Sequence, residues 1–430
     1  MLMFLGYAMV VTFMVLIMTR RLSALVALIL VPIVFGALSG HGLQLGAMAV
    51  DGIGKLAPTA TLLLFAVLYF ALMIDAGLFD PLVNRVLRFA GDDPVRVAVG
   101  TAIVASCVAL DGDGATTALI TITAFLPIYR RLGMNPLVLA VILGSSNTVM
   151  NIAPWGGPTG RAAAALQQDP GAVFVPLIPT MVAGVVATLL IAWHLGRRER
   201  RRLARGDSPI AARDSIIAFE RDMDLVRPRL IWLNLLLTLL VLASAISGLV
   251  PLPLAFMTGF ALALMINYPS LKLQSERLKT HAANALPIVL LILAAGSFTG
   301  VMAGTGMIDA MAKGAMTAVP PALGPYLGVV TAILSIPLTF VLSNDAFYFG
   351  VVPVIAQTAG NYGIPPVVIA RASLLALPVH GLSPLVAAVY LVAGLLGVEV
   401  GEMQRFALRW ALLLTLVLIA TAAATGAILS

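Results

Sequence analysis

The sequence predicts an all-α polytopic membrane protein made of two inverted repeats, each with five spans and one re-entrant helical hairpin. Composition, the length of the apolar runs and a set of landmarks repeated at one spacing carry that expectation. Of 430 residues, 60% are hydrophobic and only 10% charged, against about a quarter charged in an ordinary soluble domain. Runs such as 2–18 and 173–193 are long enough to cross a hydrocarbon core of about 30 Å at about 1.5 Å per residue. Barrel strands are about ten residues long and alternate polar with apolar, so a helical bundle is expected instead. Gly77-Leu78-Phe79-Asp80 recurs as Gly306-Met307-Ile308-Asp309, Gly133-Met134-Asn135-Pro136 as Gly363-Ile364-Pro365-Pro366, and Pro154 as Pro384, at offsets of 229, 230 and 230.

In chain order, the first repeat (1–196) is expected to span at 2–18, 22–39 and 57–75, to form a hairpin over 95–128, and to span again at 136–155 and 173–195. A polar connector follows at 197–229, with ten Arg and six acids counted from Gly196 on. The second repeat (230–430) is expected to span at 230–248, 252–267 and 287–303, to form a hairpin over 323–355, and to span at 364–396 and 404–428. Because each half crosses an odd number of times, the second enters from the opposite side, as inverted-repeat transporters do.

Charge sets the expected orientation. Arg20-Arg21 follow the first apolar run and no basic residue precedes it, the reverse of a cleavable signal peptide. With both termini outside, 22 of the 26 Lys and Arg fall on the cytoplasmic side, all but Lys55, Arg161, Lys313 and Arg371. The net charge of +7 is therefore read as an inner-membrane orientation signal, with the lipid bilayer and not nucleic acid as partner. The connector reads as a solvated cytoplasmic segment that pins topology, with lipid headgroup binding as the alternative.

One cysteine, Cys107, excludes an intramolecular disulfide and a Cys-clustered metal site. Four histidines and no HExxH, Walker or GxSxG pattern leave the familiar soluble enzyme chemistries without apparatus. The chain is not expected to be an enzyme or to carry a covalent cofactor. A membrane hydrolase would want a pair like Asp111 and Asp113, but would leave the repeat without a role, and a channel would share the re-entrant filters without needing broken helices in both halves.

The repeats carry polar interruptions in corresponding places. The hairpin tips read Asp111-Gly112-Asp113-Gly114 and Ser343-Asn344-Asp345, and beyond each lies a broken span, Gly144 to Thr159 and Ala372 to Pro384. Non-helical backbone at membrane depth is tolerated only where it is buried in protein or lines an aqueous cavity. Ionisable groups there are costly and are candidates for function: Asp113, Asp345, Asp111 and His380 for metal or proton coupling, with Arg161 and Arg371 as possible carboxylate contacts. Each has a plainer alternative. Asp111, Asp113 and Asp345 can cap helices, His380 can be a satisfied core histidine, Arg371 can snorkel outward, Arg161 can sit at the outer surface, and Asn147 and Asn151 can be packing hydrogen bonds.

Ser146-Asn147-Thr148 with Asn151-Ile152-Ala153-Pro154-Trp155-Gly156-Gly157-Pro158-Thr159, Ser343-Asn344-Asp345-Ala346-Phe347-Tyr348-Phe349 and Pro378-Val379-His380-Gly381-Leu382-Ser383-Pro384 resemble the CitMHS family of bacterial metal-citrate/proton symporters. Ala376-Leu377 replace the Gly-Gln pair that usually precedes Pro-Val-His there. The resemblance implies an ion-transporter fold and proton-driven uptake of citrate, by alternating access, as a complex with a divalent cation, Mg2+ or Ca2+. On that reading Ser146, Asn147, Thr148, Asn151, Thr159, Ser343, Asn344 and Ser383 are the candidate substrate-binding residues, and a homodimer is expected. Sodium-coupled di- or tricarboxylate symport, or cation/proton antiport on the same fold, is the alternative function.

Overall fold

The structure is a computed structural model that describes residues 1–205, 223–316 and 321–429. Residues 206–222, most of the expected connector, lie outside the described residues. Every regular element among the described residues is helical. The first half comprises α1 (Leu2–Met18), α2 (Ala24–Leu38), α3 (Leu45–Asp75), α4 (Asp80–Ala90), α5 (Pro94–Val108), α6 (Gly114–Leu132), α7 (Pro136–Met150), α8 (Gly157–Ala165), the single turn α9 (Pro170–Phe174) and α10 (Ile178–Ala204). The second comprises α11 (Ile231–Ser247), α12 (Leu252–Asn267), α13 (Leu271–Gly304), α14 (Met307–Met316), α15 (Leu327–Val341), α16 (Val352–Gly360), α17 (Pro366–Leu374), α18 (Leu377–His380), α19 (Ala387–Leu396) and α20 (Val400–Ala424). Six of the helical stretches are long and apolar enough to cross a membrane.

The sequence landmarks turn out to be the stops and starts between helices. Gly77 (φ 87°) and Gly306 (φ 72°) follow the ends of α3 and α13, and Gly133 (φ 68°) and Gly363 (φ 81°) precede α7 and α17. A left-handed backbone is where glycine costs least, so each landmark ends a helix in the same way. After Gly133, Asn135 accepts the Leu137 N–H and Pro136 occupies the first helical position, which starts α7 at once.

Two helices start well ahead of the spans expected within them. The apolar windows opened at residues 57 and 287, near Pro58 and Pro287, yet α3 and α13 run through those prolines for 31 and 34 residues. At about 1.5 Å per residue each is well over the ~30 Å of a hydrocarbon core. Their N-terminal turns carry the charged residues that end the apolar windows, Asp51 and Lys55 in α3 and Lys272, Glu276, Arg277 and Lys279 in α13. At the other end of the first half, α10 continues through the Arg-rich stretch to Ala204, so the start of the expected connector is helical.

The two long helices pack on each other along a seam, backbone to backbone at Gly52, Gly296 and Gly300, with the Met48 side chain of α3 against Gly304. A methyl added at Gly52 would lie 2.1 Å from the Gly296 carbonyl oxygen and 2.7 Å from the Gly300 Cα. Gly296, Gly300 and Gly304 are spaced by four on α13, the small-residue spacing that brings membrane helices into backbone contact. Alongside the seam, α11 and α12 are tied by a reciprocal amide pair: Asn234 Nδ2 donates to Asn267 Oδ1 at 2.8 Å and Asn267 Nδ2 to Asn234 Oδ1 at 2.9 Å.

Candidate functional site

Around the scaffold, α5–α6 and α15–α16 each fold back as a hairpin with a non-helical tip. At the first tip, Asp111 is 5% exposed, and it accepts the Asp113 N–H at 2.8 Å and the Thr117 hydroxyl at 3.4 Å. Asp113 starts α6: its two oxygens accept the N–H groups of Ala115 and Thr116, both at 3.1 Å, and the Thr116 hydroxyl at 2.5 Å. A carboxylate engaged in this way is a helix cap. The aspartate at the second tip behaves differently. Ser343 accepts the Ala346 N–H at 3.3 Å, which leaves Asp345 free of capping and turned toward α8.

There Arg161 Nε donates to Asp345 Oδ1 at 2.8 Å, across 184 residues of sequence, with both side chains about four-fifths buried. The pair joins the first half's broken helix to the second half's hairpin tip. The charge of Arg161 reaches both His380 and Tyr348, and that of Asp345 reaches His380. His380 Nδ1 lies 2.7 Å from the Thr339 carbonyl oxygen. A carbonyl can only accept, so Nδ1 carries a proton. His380 Nε2 and the Tyr348 hydroxyl are both buried without a partner. Tyr348 belongs to a π-helical turn, Ala346–Val351, an irregularity frequent at functional sites.

A second cluster surrounds Asn147 on α7. Its Oδ1 is buried and unpartnered, while its Nδ2 faces the start of α6, 3.0 Å from where a methyl on Gly114 would sit. Across from it, a methyl on Gly381 would lie 2.6 Å from the Thr148 side chain, so the break after α18 rests directly on α7. A cavity of about 80 Å³ lies between them, lined by Gly114, Asn147, Thr148, Gly381, Leu382 and Met403 among others. Ligand pockets run to about 300–1,000 Å³, so this cavity is smaller than a typical ligand site. A larger space of about 250 Å³, between α4 and α6, is lined by Ile74, Phe79, Asp80, Val83, Ile120, Thr123 and Ala124 and is largely apolar.

The remaining expected residues divide by where their hydrogens go. Ser146 donates to the Ala102 carbonyl at 3.4 Å, Thr159 to the Ile152 and Asn151 carbonyls at 3.0 and 3.2 Å, and Ser383 to the Phe340 carbonyl at 2.7 Å. Thr159 and Ser383 thus satisfy carbonyls at the first break and near the second tip, while Ser146 ties α7 to the middle of α5. Thr148 donates to Gly144 and Ser145 on its own helix, and Asn151 Nδ2 to the Asn147 carbonyl. Arg371 donates to the carbonyls of Ala172, at 2.8 Å, and Ala427, at 3.4 Å, and so clamps α17 to α9 and to the turn after α20. Asn344, half-buried at the second tip, makes no side-chain hydrogen bond among the described residues. Among the described residues no three His, Cys, Asp or Glu side chains cluster as metal ligands. Two participants escaped the sequence reading: Tyr348, hidden in an apolar string, and Trp155, whose Nε1–H ties the first break to the first tip by donating to the Leu110 carbonyl at 2.7 Å.

The sequence profile of the citrate transporter family, CitMHS, matches residues 11–376. The chain belongs to this family. Members that resemble it over its whole length include a citrate transporter of Bacillus subtilis, 51% identical across the full length of both chains, and the Mg(2+)/citrate complex secondary transporter of the same organism, 44% identical over all of this chain and 99% of the other. Among solved structures, the YdaH transporter of Alcanivorax borkumensis superimposes with a TM-score of 0.64 at 16% identity, covering 88% of this chain and 87% of that one. The MtrF protein of Neisseria gonorrhoeae does so with a TM-score of 0.59, also at 16% identity, covering 89% and 84%. At that identity the likeness is one of fold. The citrate transporter family membership and the six long apolar helices make the chain a multi-pass membrane protein.

Proposed function

We propose that the chain takes up citrate, complexed with Mg2+ or Ca2+, by symport with protons through alternating access of two inverted repeats in the inner membrane. Full-length kinship with a Mg(2+)/citrate complex transporter carries this reading. The site supplies the matching chemistry: a guanidinium, Arg161, for a carboxylate, and the unpartnered amides of Asn147 and Asn344 for further oxygens or the citrate hydroxyl. The cation enters held mainly by citrate's own carboxylate oxygens, the ligands that hard divalent ions prefer. The repeated helix order and the 229–230 offset support the repeats, and the basic asymmetry supports external termini and a cytoplasmic 197–229 connector. A homodimer belongs to the same reading and is tested by cross-linking in membranes.

The experiment is uptake of labelled citrate into proteoliposomes, with and without Mg2+ or Ca2+, under an imposed pH or sodium gradient. Uptake that needs the divalent ion and follows the pH gradient is the expected result. Uptake that persists with the proton gradient collapsed and follows sodium would reject proton coupling. Uptake indifferent to Mg2+ and Ca2+ would reject the complex as substrate.

A further inference from the structure

We propose that Arg161 and Asp345 are an exchange pair: a proton taken up by Asp345 releases Arg161 to a carboxylate of the incoming substrate, so that proton and substrate enter together. This rests on the reading of the cargo as a carboxylate moved with protons, and adds which residues couple the two. The ion pair bridges the two halves at a hairpin tip and a broken helix, and both partners are largely buried. A buried ion stripped of its partner is strongly unfavourable. Arg161 therefore has two acceptable states, paired with Asp345 or paired with a substrate carboxylate. Substrate carboxylate and ionised Asp345 together would place two negative charges against one guanidinium. The proton resolves this: it passes from water to an Asp345 oxygen, Asp345 becomes a neutral acid, and Arg161 keeps its charge for the substrate. Before and after, the local sum of Arg161, Asp345 and bound carboxylate is zero.

Asp345 suits the role because among the described residues only Arg161 bonds its side chain, whereas Asp113 at the other tip is committed to capping α6. Two further buried polar atoms feel the charge of Arg161 and have no partner among the described residues, His380 Nε2 and the Tyr348 hydroxyl. On the other elements packed against α8, Arg371 of α17 is turned to the Ala172 and Ala427 carbonyls, Asp51 and Lys55 of α3 pair with each other at 2.8 Å, Asp75 of α3 pairs with Arg277 and His281 of α13, and the remaining ionisable residues of α13, Lys272, Glu276 and Lys279, lie in its N-terminal turns. A pair serving only as a strut would not need two buried polar groups left open beside it.

Calorimetry of Mg2+–citrate binding to the purified full-length protein, in buffers of different ionisation enthalpy, reads protons taken up per substrate bound. The wild type is expected to take up about one proton more than Asp345→Asn, in which the exchange is fixed in its neutral state. In proteoliposomes Asp345→Asn is expected to lose pH-driven accumulation while counterflow exchange of citrate persists. Arg161→Gln is expected to weaken binding roughly ten- to a hundredfold, the range for a lost hydrogen bond to a charged group. The double variant Arg161→Gln/Asp345→Asn leaves no unpaired charge, so it restores folding but not affinity. Equal proton uptake by wild type and Asp345→Asn, or wild-type affinity in the double variant, overturns the exchange. A wild type that binds no Mg2+–citrate overturns the carboxylate reading itself, and this inference with it.

Discussion

Gly52→Ala tests the scaffold. The added methyl carbon meets the Gly296 carbonyl oxygen at 2.1 Å and the Gly300 nitrogen at 2.8 Å, where ordinary contact begins at 3.4 Å. Relief requires α3 and α13 to part by more than about 1 Å, because backbone has no rotamer to yield. Overpacking costs about 1–3 kcal/mol, and this contact belongs at the upper end. Alanine recovers about 0.8–1 kcal/mol of helix propensity over glycine. The balance is a loss of about 2 kcal/mol. Gly54, exposed two residues along on the same helix with nothing within 4 Å of its would-be methyl, provides the comparison: Gly54→Ala should be neutral or stabilising. Thermal unfolding of the purified proteins in detergent reads both. If Gly52→Ala melts with Gly54→Ala at or above the wild type, the seam is not a backbone contact and the packing described for α3 and α13 is wrong.

Asp113→Asn keeps an oxygen for the α6 cap and is expected to retain pH-driven uptake, while Asp113→Ala should cost about 0.5–2 kcal/mol in a thermal melt; loss of coupling in the asparagine variant would return Asp113 to the proton path. Asn147→Ala should fold and bind Mg2+–citrate roughly ten- to a hundredfold more weakly by calorimetry, and unchanged affinity would move the substrate away from α7. In a Cys107→Ser background, a cysteine at Ser208 should resist an impermeant thiol reagent applied to intact cells and one at Ser430 should react, whereas the opposite pattern would invert every loop.

Breaks and tips were legible in the sequence because proline, glycine and clustered polar residues cannot hide inside apolar runs. The boundaries at Pro58 and Pro287 were not, since a proline in a membrane helix is tolerated where neighbouring groups take up the freed carbonyl. Nor was the division of labour between the tips. Asp113 caps because Thr116 follows three residues on, and Asp345 does not because Ser343 precedes it and takes the N–H of Ala346. That choice depends on rotamers, as does the turning of Ser146, Thr159 and Ser383 toward backbone carbonyls. The partnership of Arg161 with Asp345 depends on how the halves dock, and residues 184 apart leave no local trace of it.

The glycine seam also has a mechanical meaning. Side chains packed between helices allow sliding, since rotamers readjust as the axes move. Where Gly52 meets Gly296 and Gly300 there are none, and the two backbones fit at one separation only. The seam therefore holds the long helices at one fixed separation, and under the proposed alternating access the travel would fall to the hairpins and broken helices on either side, like two arms working from one rigid axle.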